Sequence, residues 1–520
     1  MTPDEAIATS DAHAADIVAE KQKGLFGESR PFDVKRPESR VHPSRLDPST
    51  GLVSGAEVFP LSIRSVLDLA ARNSREFQTE RERLWRSALA LASEQEDFTS
   101  HPFARFGTDT TDSPTGASTQ GDTQIGVSQL LKRGGSLLLT AGGSFLRFAQ
   151  GGGGSSGTFL GLSLSLPLLR GGGEDVALEN LRQADRDAMY ALRDFERFKQ
   201  RFAVDVEIRF LRLLSSSNQV GNEERNLERL RMTRERNEAL AEAQRMTVIQ
   251  VDQARQTELD GQSRLLLARN RLQTSLDDFK EILGLPVDLV VAIDPRELAT
   301  LEAQMARSIP VDESGAMRQG LRIRLDLQNV RDDLTDTIRK IKVAENALEP
   351  DLTLGLSGNV PSAPGSNFRP RFDGATYRGS VDVDLGLYRN VEAFRLKVAH
   401  LNRESALRAI EAFEDAVKSD IRLSLRNLEQ ARTSYAIQKN AVAVAERRVE
   451  SVNEFILRGD EKTRDLLEAQ SSLVRAENSL SDALVDYRSA FLSFYRDTGA
   501  LVVRPEGLDH ETSDELLLAP

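Results

Sequence analysis

The chain has 520 residues, 39% hydrophobic and 28% charged, with a single Trp, which is too lean for one thick globular core in so long a chain. Its net charge of −12 excludes the phosphate backbone of nucleic acid as a partner, and its lack of cysteine excludes disulfides and thiolate metal sites. No apolar run reaches the ~18 residues of a membrane-spanning helix.

Residues 1–58 are polar and carry Pro31, Pro37, Pro43 and Pro48, which reads as an extended or loosely packed N-terminal arm. The opening "MTPDEAIATSDAHAADIV" has no apolar core behind a basic segment, so no secretory signal is visible in it. A first helix is expected over 59–101 and strands over 102–170. Within the latter, "TQIGVSQLLKRGGSLLLTAGGSF" reads as two alternating strands about a tight "KRGG" turn. In "LGLSLSLPLLRGGG", Leu160, Leu162, Leu164 and Leu166 fall on one strand face, with Gly161, Ser163, Ser165 and Pro167 on the other.

Long helices follow over 171–284, then a linker at 285–312. A helix over 313–349, strands over 350–389, long helices over 390–502 and a tail at 503–520 complete the chain. The stretch 391–458 contains no Gly or Pro. As one helix it would be about 100 Å long at ~1.5 Å per residue. Helices of that length are coiled coils or repeats. Ala469, Leu473, Ala476, Leu480, Ala483 and Tyr487 supply the seam, stepping by four and three, and Ala445, Val449, Val452 and Ile456 repeat it.

The chain is duplicated. "IQVDQARQTELDGQSRLLLARNRLQTSLDDFKEILG" ends at Gly284 and "TRDLLEAQSSLVRAENSLSDALVDYRSAFLSFYRDTG" at Gly499, 215 positions on. Arg170 matches Arg389, and Pro102 is set against Pro350. Each copy reads helix, proline, strands, long helix, turn, long helix, which is a doubled half-molecule. The strand region is longer in the first copy.

In the second copy Val381, Val383, Leu385 and Leu387 form the apolar face. Asp382 and Asp384 lie on the other. A soluble sheet buries its apolar face under a second layer. A membrane barrel turns apolar residues out to lipid and polar ones inward to water. That assigns Leu162, Leu164 and Leu166 to lipid and Asp382 and Asp384 to the lumen. An open sheet edge is forbidden in lipid, and one chain has too few strands to close a wide barrel, so several chains must close it together.

Duplicated halves, "LSLSLPLLRGG" and "LRGDEKTRDLLEAQSSLVRAENSL" together resemble the TolC-like outer-membrane efflux protein family over roughly residues 59–502. The resemblance implies a mainly α fold with membrane β: duplicated long-helix hairpins forming an α-helical barrel, plus strands given to a shared trimeric transmembrane β-barrel. It implies a homotrimer in outer-membrane lipid, its periplasmic tunnel loaded by a periplasmic adaptor (membrane fusion protein) and an inner-membrane pump for efflux or type I secretion. Arg458 and Gly459 match the adaptor-contact helix turn, and Asp465 and Glu468 the acidic ring that gates the tunnel's inner end; by spacing alone the two acids equally fit a first helical turn complementing the helix dipole. Gln250 stands where Asp465 stands in the other copy, and the first-half turn "AEAQRMTVIQVDQAR" lacks the glycine.

No enzyme is expected. The histidines His13, His42, His101, His400 and His510 form no ligand pair, so no metal and no cofactor are implied. "RGGGEDVALENLR" has the order of a phosphate loop, but Glu174 and Asp175 occupy the anion's place. A soluble coiled-coil scaffold with β-insertions is the alternative, and it leaves the paired insertions unexplained.

Overall fold

The computed structural model describes residues 2–27, 32, 59–113, 116–148, 155–294, 296–305, 312–362, 369–458, 463–504 and 510–512. The first element, α1 (Pro3–Phe26), corrects the expectation of an extended N-terminal arm. The prolines that suggested one begin only at Pro31, and before them Ala14, Ile17 and Val18 keep helical spacing and are buried. Thr2 and Glu5 cap the start reciprocally. The indole N–H of Trp85 donates to Asp11 at 3.2 Å, tying α1 down.

The first copy then runs β1 (Phe59–Leu61), α2 (Ile63–Asn73), α3 (Arg75–Glu96), β2 (His101–Ser113), β3 (Gly116–Leu130), β4 (Ser136–Phe148), β5 (Ser155–Pro167), α4 (Glu174–Ala177), α5 (Glu179–Glu242) and α6 (Val248–Ile282). The second runs β6 (Val291–Ile293), α7 (Arg296–Met305), α8 (Glu313–Ile323), α9 (Leu325–Asn346), β7 (Asp351–Pro361), β8 (Thr376–Asp384), α10 (Asn390–Arg458), α11 (Thr463–Thr498), β9 (Leu501–Val503) and β10 (His510–Thr512).

The duplication is visible element by element. α2 and α8 each have 11 residues, and α3 and α9 each have 22. Each of these pairs, and β2 with β7, starts 250 positions apart. The expected match of Pro102 with Pro350 is therefore two residues out of register. Pro102 lies inside β2, an edge strand of this sheet, whereas Pro350 precedes β7. The match of Gly284 with Gly499 holds in detail. Both have positive φ, 67° and 76°. A Cβ on Gly284 would lie 2.1 Å from the Asn73 carbonyl oxygen at the end of α2, and one on Gly499 would lie 2.9 Å from Ile323 at the end of α8. The same close approach is thus built twice.

The chain divides into two compact units. One comprises residues 1–32, 84–192 and 329–411; the other comprises 33–83, 193–328 and 412–520. The first holds the large sheet. Its helices join through a buried charge network: Asp336 is fully buried, accepts from Tyr190 Oη at 2.7 Å and from Arg339 at 3.0 Å, and pairs with Arg186. Arg339 also reaches Glu179 at 2.6 Å.

The second unit is helical with small strand pairs, β1 parallel to β6 and β9 antiparallel to β10. Phe77 sits among Phe195, Phe198 and Phe202, with ring centroids 5.7–6.0 Å away. On α11 the seam residues Ala469, Leu473, Ala483 and Tyr487 are buried. Arg324 donates to Asp326 at 2.7 Å and to Asp420 at 3.2 Å. Burial opposes the charge of Asp326, but the Arg324 hydrogen bond and the Arg197 and Arg324 charges outweigh it. They hold the carboxyl below its ordinary value.

Candidate functional site

β2, β3, β4, β5, β7 and β8 form one six-stranded sheet in that order, with every neighbouring pair antiparallel. The two first-copy strands about "KRGG" are β3 and β4, and both lie inside this sheet. Their turn uses Gly134 and Gly135, at φ 86° and 90°, and closes with Leu131 N–H donating to the Gly135 carbonyl at 3.0 Å.

Directly paired residues point to one side of a sheet. The register therefore sorts every strand position between two faces. On one face Pro102, Val127, Leu139, Leu162, Gly358 and Tyr377 form a continuous row. Adjacent rows add Ala104, Ile125, Ala141 and Leu160, then Leu137, Leu164, Leu356 and Gly379. Leu354 and Val381 pair beyond them. The opposite face holds Arg105, Asp109, Asp122, Gln124, Thr140, Ser163, Asn359, Arg378 and Asp382.

Among the described residues nothing covers the apolar face: Phe106 is 72% exposed, Leu162 51% and Val381 65%. A groove of about 630 Å³ runs along it between Leu139, Leu160, Leu162, Leu356 and Tyr377. In water this patch would be a severe liability, and against acyl chains it is complementary.

Glycines let aromatic rings lie flat across neighbouring strands. Phe103 faces Gly126, Phe145 faces Gly121, Phe159 faces Gly142 and Tyr377 faces Gly358, each as a direct cross-strand pair. A Cβ on Gly121 would stand 2.2 Å from the Phe145 ring. Gly126 and Gly142 leave room in the same way for the rings of Phe103 and Phe159, which a Cβ would approach to 2.7 and 2.9 Å.

The expected site residues divide as follows. Leu162, Leu164 and Leu166 share the apolar side of β5, with Leu162 the most open. Asp382 and Asp384 lie on the polar side of β8, opposite Thr353 and Asp351. Asp384 also accepts from Gly386 N–H at 2.9 Å, which makes it the cap of the turn into α10. Asp465 and Glu468 occupy the first turns of α11. Asp465 is half-buried and Glu468 exposed, and Glu468 accepts from Arg448 of α10 at 3.4 Å. Arg458 is the last residue of α10, and Gly459 lies outside the described residues.

The matching first-copy turn shows what replaces glycine. Gln244 adopts φ 60°, and Arg245 N–H donates to the Leu240 carbonyl at 2.8 Å, closing the helix end in a left-handed cap. Gln250 accepts from Thr247 N–H at 3.2 Å, so it caps α6 where Asp465 begins α11.

The "RGGG" amides are already engaged. Gly171 N–H donates to Asn346 Oδ1 at 2.8 Å, Gly172 N–H to the Leu169 carbonyl at 2.9 Å and Gly173 N–H to the Arg133 carbonyl at 3.0 Å. The segment is a strand-to-helix hinge. Among the described residues no helix is long and apolar enough to cross a membrane, and no acidic or histidine group has the clustering of a metal site.

Sequence reasoning passed over Arg105, Asp109 and Arg378. The signal lay in the same alternation that placed Asp382, extended to the outer strands.

No family model matches the chain. The outer membrane efflux protein BepC of Brucella suis biovar 1 is 25% identical over 334 residues, 64% of this chain and 67% of BepC. Among solved structures, the outer-membrane channel OprN covers 91% of this chain and 94% of its own length, at TM-score 0.60 and 14% identity. CusC, described as undergoing transmembrane channel formation, covers 89% and 98% at TM-score 0.62 and 12% identity. The Campylobacter jejuni CmeC outer membrane channel covers 92% and 91% at TM-score 0.60 and 13% identity. These identities speak for the fold, and BepC adds a relationship in sequence. The chain has the fold of these outer-membrane channels and resembles the TolC-like outer-membrane efflux proteins in sequence.

Proposed function

We propose that this chain is the outer-membrane channel of a tripartite efflux or type I secretion system. It conducts cargo passively, performs no chemistry, and works as a homotrimer with a periplasmic adaptor and an inner-membrane pump. The observation that carries this reading is the sheet with one continuous, uncovered apolar face and one polar face. A soluble scaffold would leave that face in water, whereas a barrel wall places it in lipid and the polar face on the channel. The fold shared with OprN, CusC and CmeC and the likeness to BepC support it. Mass measurement in detergent tests the assembly: a trimer is expected, and a stable folded monomer contradicts it.

Two local roles belong to the same reading. Arg458 and Gly459 are the adaptor-contact turn. Asp465 and Glu468, three copies of each, form an acidic ring near the tunnel's periplasmic end, which attracts cations and offers them oxygen ligands. The exposure of Glu468 and partial exposure of Asp465 support this. The double change Asp465→Asn with Glu468→Gln then weakens block by trivalent cations added from the periplasmic side. Unchanged block and unchanged ion selectivity remove the gate and leave the channel intact.

A further inference from the structure

The sheet has two open edges. Among the described residues β2 is paired only to β3, and β8 only to β7. Six alternating strands make the outer two antiparallel to each other, so β8 of one copy can continue the ladder onto β2 of the next without breaking the alternation. Odd numbers of strands per chain would not allow this.

The edges also match in charge. β2 carries Arg105 and Asp109, and β8 carries Arg378 and Asp382, all four exposed and on the polar face. None of them forms an ion pair with another described residue of its own chain. Their spacing is the same, four residues, and antiparallel pairing reverses one order against the other. A single register therefore sets Arg105 opposite Asp382 and Asp109 opposite Arg378 together. A slip of two residues either way separates both pairs, and a slip of four one way sets Arg105 against Arg378. Opposite charges in directly facing positions stabilise a strand pair and like charges oppose it. The same register keeps the apolar sides aligned, with Val381 beside Phe106 and Val383 beside Ala104.

We propose that β2 and β8 are the subunit joint, paired between copies of this chain with Arg105 facing Asp382 and Asp109 facing Arg378, and that all six strands of each chain are barrel staves. This rests on the trimeric channel reading and deepens it: three copies then close an 18-stranded wall. The geometry closes consistently. Along the cross-strand row from Pro102 to Tyr377, the joint sets Tyr377 against Thr110 of the next copy. The ladder climbs eight residues per chain, which for 18 strands gives a tilt of about 42° at ~3.3 Å rise and ~4.8 Å spacing, inside the range for membrane barrels. The same numbers give a wall about 35–40 Å across between strand axes, wide enough for an aqueous channel. The joint is head-to-tail and leaves no edge in lipid.

These 520 residues contain no cysteine, so paired thiols report the joint directly. Arg105→Cys with Asp382→Cys, treated with a short bis-maleimide in detergent, should convert the protein to a covalent three-chain ring on a denaturing gel. The displaced pairs Arg105→Cys with Ser380→Cys, and Arg105→Cys with Asp384→Cys, should give several-fold less. In a second, cysteine-free test, Arg105→Asp should shorten the trimer's lifetime in detergent by about tenfold, since three joints each lose a pair, and adding Asp382→Arg should restore it. Stronger linkage through a displaced pair, linkage that stops at two chains or stays within one, or no rescue by the double reversal overturns the proposal. If bilayer current steps persist in protein that fails these tests, the joint alone is wrong. If the steps are absent as well, the channel reading fails with it.

Discussion

Replacing Leu162 with arginine tests the face assignment most sharply when Ser163→Arg is its control. The two positions are neighbours on β5, eight and nine residues into a thirteen-residue strand, so they lie at nearly the same depth. Leu162 faces Leu139 and Gly358 in the apolar row and is 51% exposed; Ser163 faces Leu138 and Ser357 on the other side. If the apolar row meets lipid, an arginine at Leu162 costs about 2–4 kcal/mol near the midplane. At ~1.4 kcal/mol per tenfold, that is a shift of about 30-fold to about 700-fold in the folding equilibrium. The same residue at Ser163 meets water and costs about 1 kcal/mol or less. Urea unfolding of the protein in lipid vesicles, followed by intrinsic fluorescence and by trimer recovery, gives both values. Equal losses at the two sites would refute the assignment of faces, because strand strain and general surface charge act on both alike.

Asp336→Ala should destabilise the helices of its unit by about 1.5–3 kcal/mol, because Arg186, Arg339 and Tyr190 lose a fully buried partner while Arg186 keeps Asp332 and Arg339 keeps Glu179; chemical denaturation of the full protein measures it. Gly284→Ala should be worse than Gly499→Ala, since its Cβ meets a backbone carbonyl rather than a flexible side chain, on top of about 1–2 kcal/mol for the left-handed backbone in both; paired melting curves give the order. Gln244→Gly should stabilise by about 1 kcal/mol by removing that same backbone cost, read as a higher unfolding midpoint. Asp326 has a carboxyl held below its ordinary value, so its contribution is present above the unfolded pKa of about 3.9 and is lost as pH falls through the lower folded value. Asp326→Asn should therefore flatten the acid limb of a stability–pH curve and leave its alkaline limb in place.

The helices and the repeat were legible because their signals are local and long. The α11 seam from Ala469 to Tyr487 and the glycine stops at Gly284 and Gly499 are written in spacing alone. The lipid-type alternation of Leu160 to Leu166 was equally plain. The Pro102–Pro350 match misled because one proline lies within an edge strand and the other just before a strand. The N-terminal helix is masked in composition by the prolines from Pro31 onward, although Ala14, Ile17 and Val18 carry the helical spacing. Cross-strand relations were out of reach. That Phe145 lies over Gly121, or that β5 pairs with β7 across the two copies, depends on register, and register is fixed by partners far away in sequence. The charges on β2 and β8 become complementary only once those strands are known to be the edges.

The central claim is that this sheet is the wall of a water-filled channel. Planar-bilayer recording of the detergent-purified trimer tests it most directly. Steady, uniform single-channel current steps are expected, with ion selectivity sensitive to Asp382 on the polar face. A folded protein that stays in the aqueous phase and produces no steps at any concentration would contradict it.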